Sequence, residues 1–125
     1  MTTHLLFVYG TLRKDGVNAM PKLYPNSTFV GTSSVNGRLY DMGGYPAIVL
    51  DDNASSVIGE VYKVDDETLA RLDEFELKAN YPRMSIEISV DGDLKPCWIY
   101  GPHAELCAGR DQIRSGDWIE HTLQA

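Results

Sequence analysis

The feature that most constrains this chain is a succession of short β-patterned runs, punctuated by Gly, Pro and Asx turn formers and broken only once by a helical repeat. Residues 4–9 (HLLFVY) are almost wholly apolar and rich in β-branched and aromatic types, as in a strand buried on both faces. Residues 28–32 and 34–40 read as strands, with Asn36-Gly37 as a hairpin or bulge signal between them. A short buried strand follows at 47–50, and the longest β-type run spans 57–64, where Gly59 marks a bend or a close backbone approach. Residues 83–90 alternate apolar with polar, Asp91-Gly92 turns the chain, and 95–100 returns as the partner strand. Between these runs, Asp65 or Asp66 caps a helix over 67–76, with acids crowding its first turn. Residues 14–25 read as a loop with one helical turn around 20–23, and 104–108 and 117–119 as short packed segments. Six or so short strands with one main helix predict an α+β fold: a small mixed, mostly antiparallel β-barrel with that helix on its flank, because closure removes exposed edges.

The chain has 125 residues, which fits one domain over 1–125, and 43% hydrophobic content suffices for one core. A net charge of −7 argues against nucleic acid or an anionic membrane surface as the main partner. No run approaches the length needed to span a bilayer, and two cysteines make no disulfide framework, so the expected location is cytoplasmic. Cys97, His103 and Cys107 lack the paired spacing of a zinc site, and no phosphate loop, dinucleotide fingerprint or serine elbow is present. No metal and no cofactor are expected. The oligomeric state is not legible.

Two places carry chemistry. After the first strand, Tyr9-Gly10-Thr11-Leu12-Arg13 leaves the core through a Gly, and such a turn can aim successive N–H groups at one anion or oxyanion. The same residues also fit a plain strand exit. In the helix, Leu69 and Leu72 define an apolar stripe, and Glu76 falls between them in projection. A carboxylate placed where the core should be has a raised pKa or a hydrogen-bonding partner, and a raised pKa suits a proton shuttle near neutrality. A helix that frays by residue 75 would leave Glu76 solvated instead. Tyr81 and Arg83, just beyond the helix, are its candidate partners, and Gly43-Gly44-Tyr45-Pro46 has the freedom to form a pocket rim.

In order along the chain, Tyr9-Gly10-Thr11-Leu12-Arg13, Gly44-Tyr45-Pro46-Ala47, Gly59-Glu60-Val61-Tyr62, Leu72-Asp73-Glu74-Phe75-Glu76, Tyr81-Pro82-Arg83 and Ser115-Gly116-Asp117-Trp118 resemble the γ-glutamylcyclotransferase-like superfamily. The resemblance implies a small barrel whose pocket lies between the Tyr9–Leu12 turn and Glu76. It implies release of 5-oxoproline from a small γ-glutamyl substrate, with Glu76 as the catalytic acid/base. Tyr9, Gly10, Thr11, Leu12, Arg13, Tyr45 and Tyr81 are then the expected substrate contacts. Thr11 and Arg13 place the chain nearer the small branch acting on γ-glutamylamines than the glutathione-specific branch. Leu77 departs from the Gly that follows the Glu in many relatives. A non-catalytic barrel that binds a small acidic metabolite through the Tyr9–Leu12 turn is the alternative expectation.

Overall fold

The computed structural model describes residues 2–123. Seven strands form one curled sheet: β1 (Thr3–Val8), β2 (Thr28–Asp41), β3 (Pro46–Leu50), β4 (Ser56–Asp65), β5 (Arg83–Val90), β6 (Asp93–Tyr100) and the two-residue β7 (Asp111–Gln112). The strand order is β3-β2-β4-β1-β6-β5, with β7 pairing β2 off that path. All pairings are antiparallel except β1 with β6, which is parallel at Leu6 and Trp98. Helices α1 (Met20–Leu23), α2 (Asp66–Leu77) and α3 (Trp118–Leu123) complete the fold. The sheet curls until Ser33 Oγ of β2 donates to Ser89 O of β5 at 3.3 Å, without a ladder between those strands, so the barrel is half closed.

β1 lies at the centre because both of its faces are covered. Phe7 packs inside the curl with Leu39, Ile48, Val61 and Ile99, whereas Leu6 and Val8 face the layer that includes Leu69 and Leu72 of α2. A strand buried on both sides must be apolar throughout, as residues 5–9 are. The close packing inferred at Gly59 is present: a Cβ there would stand 2.1 Å from Val8 O and 2.7 Å from the Phe7 ring.

One expectation needs correction. Asn36-Gly37 does not separate two strands, since β2 runs unbroken through it. Residues 28–36 pair with β4, and residues 37–41 pair with β3 on the opposite edge. The dipeptide marks the point where one long strand changes partner as the sheet curls. The register irregularity lies earlier, between Phe29 and Gly31.

Two devices fix the parts that matter for the site. At the exit of β1, Arg13 Nε donates to Glu60 Oε2 at 2.7 Å, and its Nη1 donates to Asp117 Oδ1 at 2.9 Å. Lys14 N–H donates to the other Glu60 oxygen at 3.0 Å, so this 1%-exposed carboxylate is held on both sides. Asp117 Oδ1 also accepts from Glu120 N–H at 3.1 Å in the first turn of α3. The second device is the pair of ends of α2. Asp65 Oδ1 accepts from Thr68 N–H at 2.8 Å to cap the start. Beyond the end, Asn80 is left-handed at φ 63°, Asn80 N–H donates to Leu77 O, and Tyr81 N–H donates to Glu76 O at 3.0 Å. That pair of bonds is a Schellman ending, with Asn in the position usually held by Gly.

Removing one partner of a buried ion pair leaves the other uncompensated, so Glu60→Ala should cost about 3–5 kcal/mol in urea unfolding. Arg13→Met combined with Glu60→Met should recover part of that loss. A loss under about 1 kcal/mol for Glu60→Ala would class the contact with surface bridges. At the left-handed position, Asn80→Gly should be nearly neutral, whereas Asn80→Val should destabilise by about 1–2 kcal/mol.

Candidate active site

The C-terminal end of β1, the start of β3, the end of β6 and the end of α2 converge on one cavity of about 840 Å³. Its walls include Tyr9, Gly10, Thr11 and Leu12 from the β1 exit, Tyr45 and Pro46 from the β2–β3 loop, and Glu76 and Tyr81 from the α2 ending. Six of the seven expected substrate contacts, with Glu76, are therefore brought together. Arg13 is not: its side chain is 11% exposed, and its Nε and Nη1 are engaged with Glu60 and Asp117, so it supports the turn rather than lining the cavity.

The turn has its shape for local reasons. Arg13 N–H donates to Gly10 O at 3.0 Å, Asn18 N–H to Thr11 O at 2.9 Å and Met20 N–H to Leu12 O at 2.9 Å. The carbonyls of residues 10–12 are thus satisfied, while the N–H groups of Gly10, Thr11 and Leu12 donate to no group among the described residues. Gly10 is required by packing, because a Cβ there would stand 2.4 Å from Pro46 Cγ. Asn18 Nδ2 reaches Thr11 Oγ1 at 3.4 Å.

Across the cavity, α2 continues through Leu77, so it does not fray before Glu76. Leu77 is 59% exposed and still helical, and the sharp exit falls at Asn80. The Schellman ending then holds Tyr81 beside Glu76 through the main chain. Among the described residues, the Glu76 carboxylate has neither a hydrogen bond nor an ion pair, and burial pushes its pKa up to about 7. Arg83, the other candidate partner, serves Asp73 instead, at 3.5 Å, and stacks 4.2 Å over the Trp98 ring.

The tyrosines around this carboxylate are oriented by carbonyls. Tyr81 Oη donates to Pro46 O at 3.0 Å, and Tyr9 Oη donates to Tyr100 O at 2.7 Å. A carbonyl can only accept, so each hydroxyl must spend its proton there and keeps only lone pairs for other groups. Burial is the main reason that both phenols lie above their ordinary range, and neighbouring Glu76 adds to it. Tyr100 also lines the cavity, and its hydroxyl donates to Asp73 Oδ1 at 2.8 Å, tying α2 to β6. Sequence reasoning missed Glu60, Asp73 and Tyr100. Glu60 and Asp73 fell within the family motifs without a role of their own, and Glu60 also stood out as an acid inside the most apolar stretch of the 57–64 run.

Other chemistry is poorly served. Cys97 is buried, its thiol is pushed up to about 12 by that burial, and His103 is exposed. Among the described residues, no group of three His, Cys, Asp or Glu is arranged to hold a metal, and no helix is long and apolar enough to cross a membrane.

Residues 6–120 match the family model described as gamma-glutamyl cyclotransferase, AIG2-like. YkqA of Bacillus subtilis is 35% identical over 121 residues, which cover 95% of this chain and 42% of YkqA. Its crystal structure superposes with a TM-score of 0.79 at 30% identity, over 98% of this chain and 42% of that one. This chain therefore spans less than half the length of that relative. The gamma-L-glutamyl-butirosin B gamma-glutamyl cyclotransferase of Niallia circulans is 32% identical over 130 residues, covering 95% of this chain and 78% of the relative. A crystal structure of an AIG2-like protein from Mus musculus gives a TM-score of 0.73 at 27% identity, over 82% of this chain and 79% of that one. Sequence and fold agree, and the chain belongs to the gamma-glutamyl cyclotransferase, AIG2-like family.

Proposed function

We propose that this chain is a γ-glutamylamine cyclotransferase that releases 5-oxoproline and a free amine, with Glu76 as its proton shuttle. The observation that carries this reading is a carboxylate of pKa about 7 with no partner among the described residues, set in a cavity opposite three backbone N–H groups that donate to none of them. A carboxyl that changes protonation near neutrality can take a proton in one step and return it in the next.

In the reaction, the α-amine nitrogen of the γ-glutamyl group attacks its own γ-carbonyl carbon. The C–N bond to the leaving amine breaks; of the two protons that the α-ammonium loses in becoming the lactam N–H, both end on the leaving nitrogen, which departs as an ammonium. No water is consumed and no electrons change hands. The cavity has only to hold the acyl chain bent, because nucleophile and electrophile share one molecule. Tyr9 and Tyr81, their protons committed to carbonyls, offer lone pairs that accept from the α-ammonium. Glu76 removes the proton that frees its nitrogen. The N–H groups of Gly10, Thr11 and Leu12 receive negative charge, on the substrate carboxylate or on the oxyanion. The name of the Niallia relative, which specifies a γ-L-glutamyl group on butirosin B and a cyclotransferase acting on it, is in keeping with this chemistry.

Glu76→Gln keeps the shape and removes the titration, so turnover of γ-glutamylamines should fall by at least about 100-fold with KM changed little. In the wild type, kcat/KM should fall as pH drops through about 7, because a protonated Glu76 cannot accept. A Gln variant with full activity would sink the assignment. Absence of 5-oxoproline from every γ-glutamyl compound, with a ligand still bound, would favour the non-catalytic barrel.

The same carboxyl sets a stability signature. Its folded pKa lies above the ordinary 4.5, so the native state holds the proton more tightly than the unfolded chain. Its contribution is therefore retained at low pH and lost as pH rises from about 4.5 through 7. Relative to wild type, Glu76→Gln should be more stable by about 2 kcal/mol at pH 8, partial exposure included, and equal at pH 4. Thermal melts at both pH values check this, and a gain at pH 4 with none at pH 8 would contradict it.

A further inference from the structure

We infer that the leaving amine carries an apolar body, aliphatic or aromatic, that rests on the cavity mouth. The inference builds on the proposed reaction and concerns the part of the cavity which that reaction does not use. A five-carbon acyl group fills only a fraction of about 840 Å³, and the residues proposed to hold it sit on the inner wall. The remainder opens outward between the loop after β1, the β2–β3 loop and α2.

Three large apolar side chains line that opening while standing in solvent: Val17 at 79% exposure, Tyr45 at 45% and Phe75 at 49%. They come from three separate segments and line the same cavity. Exposed apolar side chains gathered at a cavity rim mark a surface that is covered when the ligand is in place. Phe75 is also out of place for a solvated helix face, one residue before the proposed catalytic group.

The charges at the rim do not favour an ionic leaving group. Arg71 lines the mouth, but its Nη2 lies 3.0 Å from Glu67 Oε1. Glu74 and Lys78, of opposite charge and four residues apart, line it too. The rim thus carries charges of both signs and no cluster of one sign that would select a second carboxylate or a second ammonium. The mouth discriminates by apolar contact.

The test uses the γ-L-glutamyl conjugates of methylamine, butylamine, hexylamine and phenethylamine, with those of alanine and of the lysine ε-amine. Two quantities are read: kcat/KM for 5-oxoproline release by the wild type, and Kd by calorimetry with Glu76→Gln. Both should improve by about threefold per methylene from methyl to hexyl, a little under the value for full burial. The phenethylamine conjugate should exceed the alanine and lysine conjugates by at least about tenfold. Val17→Ser with Phe75→Ser should flatten the chain-length dependence of both quantities. A flat series, or a preference for the lysine or alanine conjugate, overturns the inference and leaves the reaction standing. If no conjugate releases 5-oxoproline, the reaction falls, and the Kd series alone decides the apolar mouth: a rise with chain length supports it and a flat series overturns it.

Discussion

The structure depends on the ion pair between Arg13 and Glu60. Glu60 is the most costly residue in the core, a 1%-exposed carboxylate inside a β-strand, and it is tolerable only because a guanidinium and a main-chain N–H converge on it. Arg13 is in turn placed by Gly10, which lets the chain leave β1 directly beneath Pro46. The second arm of Arg13 reaches Asp117, so the C-terminal segment is fastened to the same point. What this arrangement contributes is position. It fixes where the β1 exit turns, and hence where the N–H groups of residues 10–12 lie relative to the cavity.

Against that rigid wall stands a second acid treated in the opposite way. Glu60 is hydrogen-bonded through both carboxyl oxygens, whereas Glu76 has no partner among the described residues and stands near a helix C-terminus, where the macrodipole disfavours negative charge. The fold bears this because the surrounding backbone is satisfied independently of the side chain. Asn80 closes the helix, Tyr81 N–H takes the Glu76 carbonyl, and Asp73 ties the helix to Tyr100 and Arg83. Burial without compensation is what raises the Glu76 pKa. Two carboxylates on one cavity wall and its support thus have environments that push them toward different roles.

Much of this was legible in the sequence, for reasons that can be named. Local periodicity and turn chemistry located β5, the Asp91-Gly92 turn and α1, whose determinants lie within a few residues. The stripe of Leu69, Leu72 and Glu76 placed an acid on the inward face because the helix there is regular. What failed were the non-local features. Asn36-Gly37 has hairpin chemistry, but β4 and β3 claim the residues on either side of it, and tertiary pairing overrode the local signal. Arg13 stands beside the turn in sequence and was expected at the ligand, whereas its long side chain folds back to acids 47 and 104 residues away. No spacing rule could reveal those partners. The family motifs divide accordingly into two sets. One surrounds the cavity. The other, Arg13 with Gly59-Glu60 and Gly116-Asp117, holds it up.

The most direct test of the account is a ¹³C NMR titration of the glutamate side-chain carboxyls, with Glu76 assigned by difference from Glu76→Gln. The account predicts one carboxyl titrating near pH 7 that vanishes in the variant. If the signal lost in the variant titrates at the ordinary carboxyl value of 4.5, the carboxylate is solvated in the cavity, and the proposed proton shuttle has no basis.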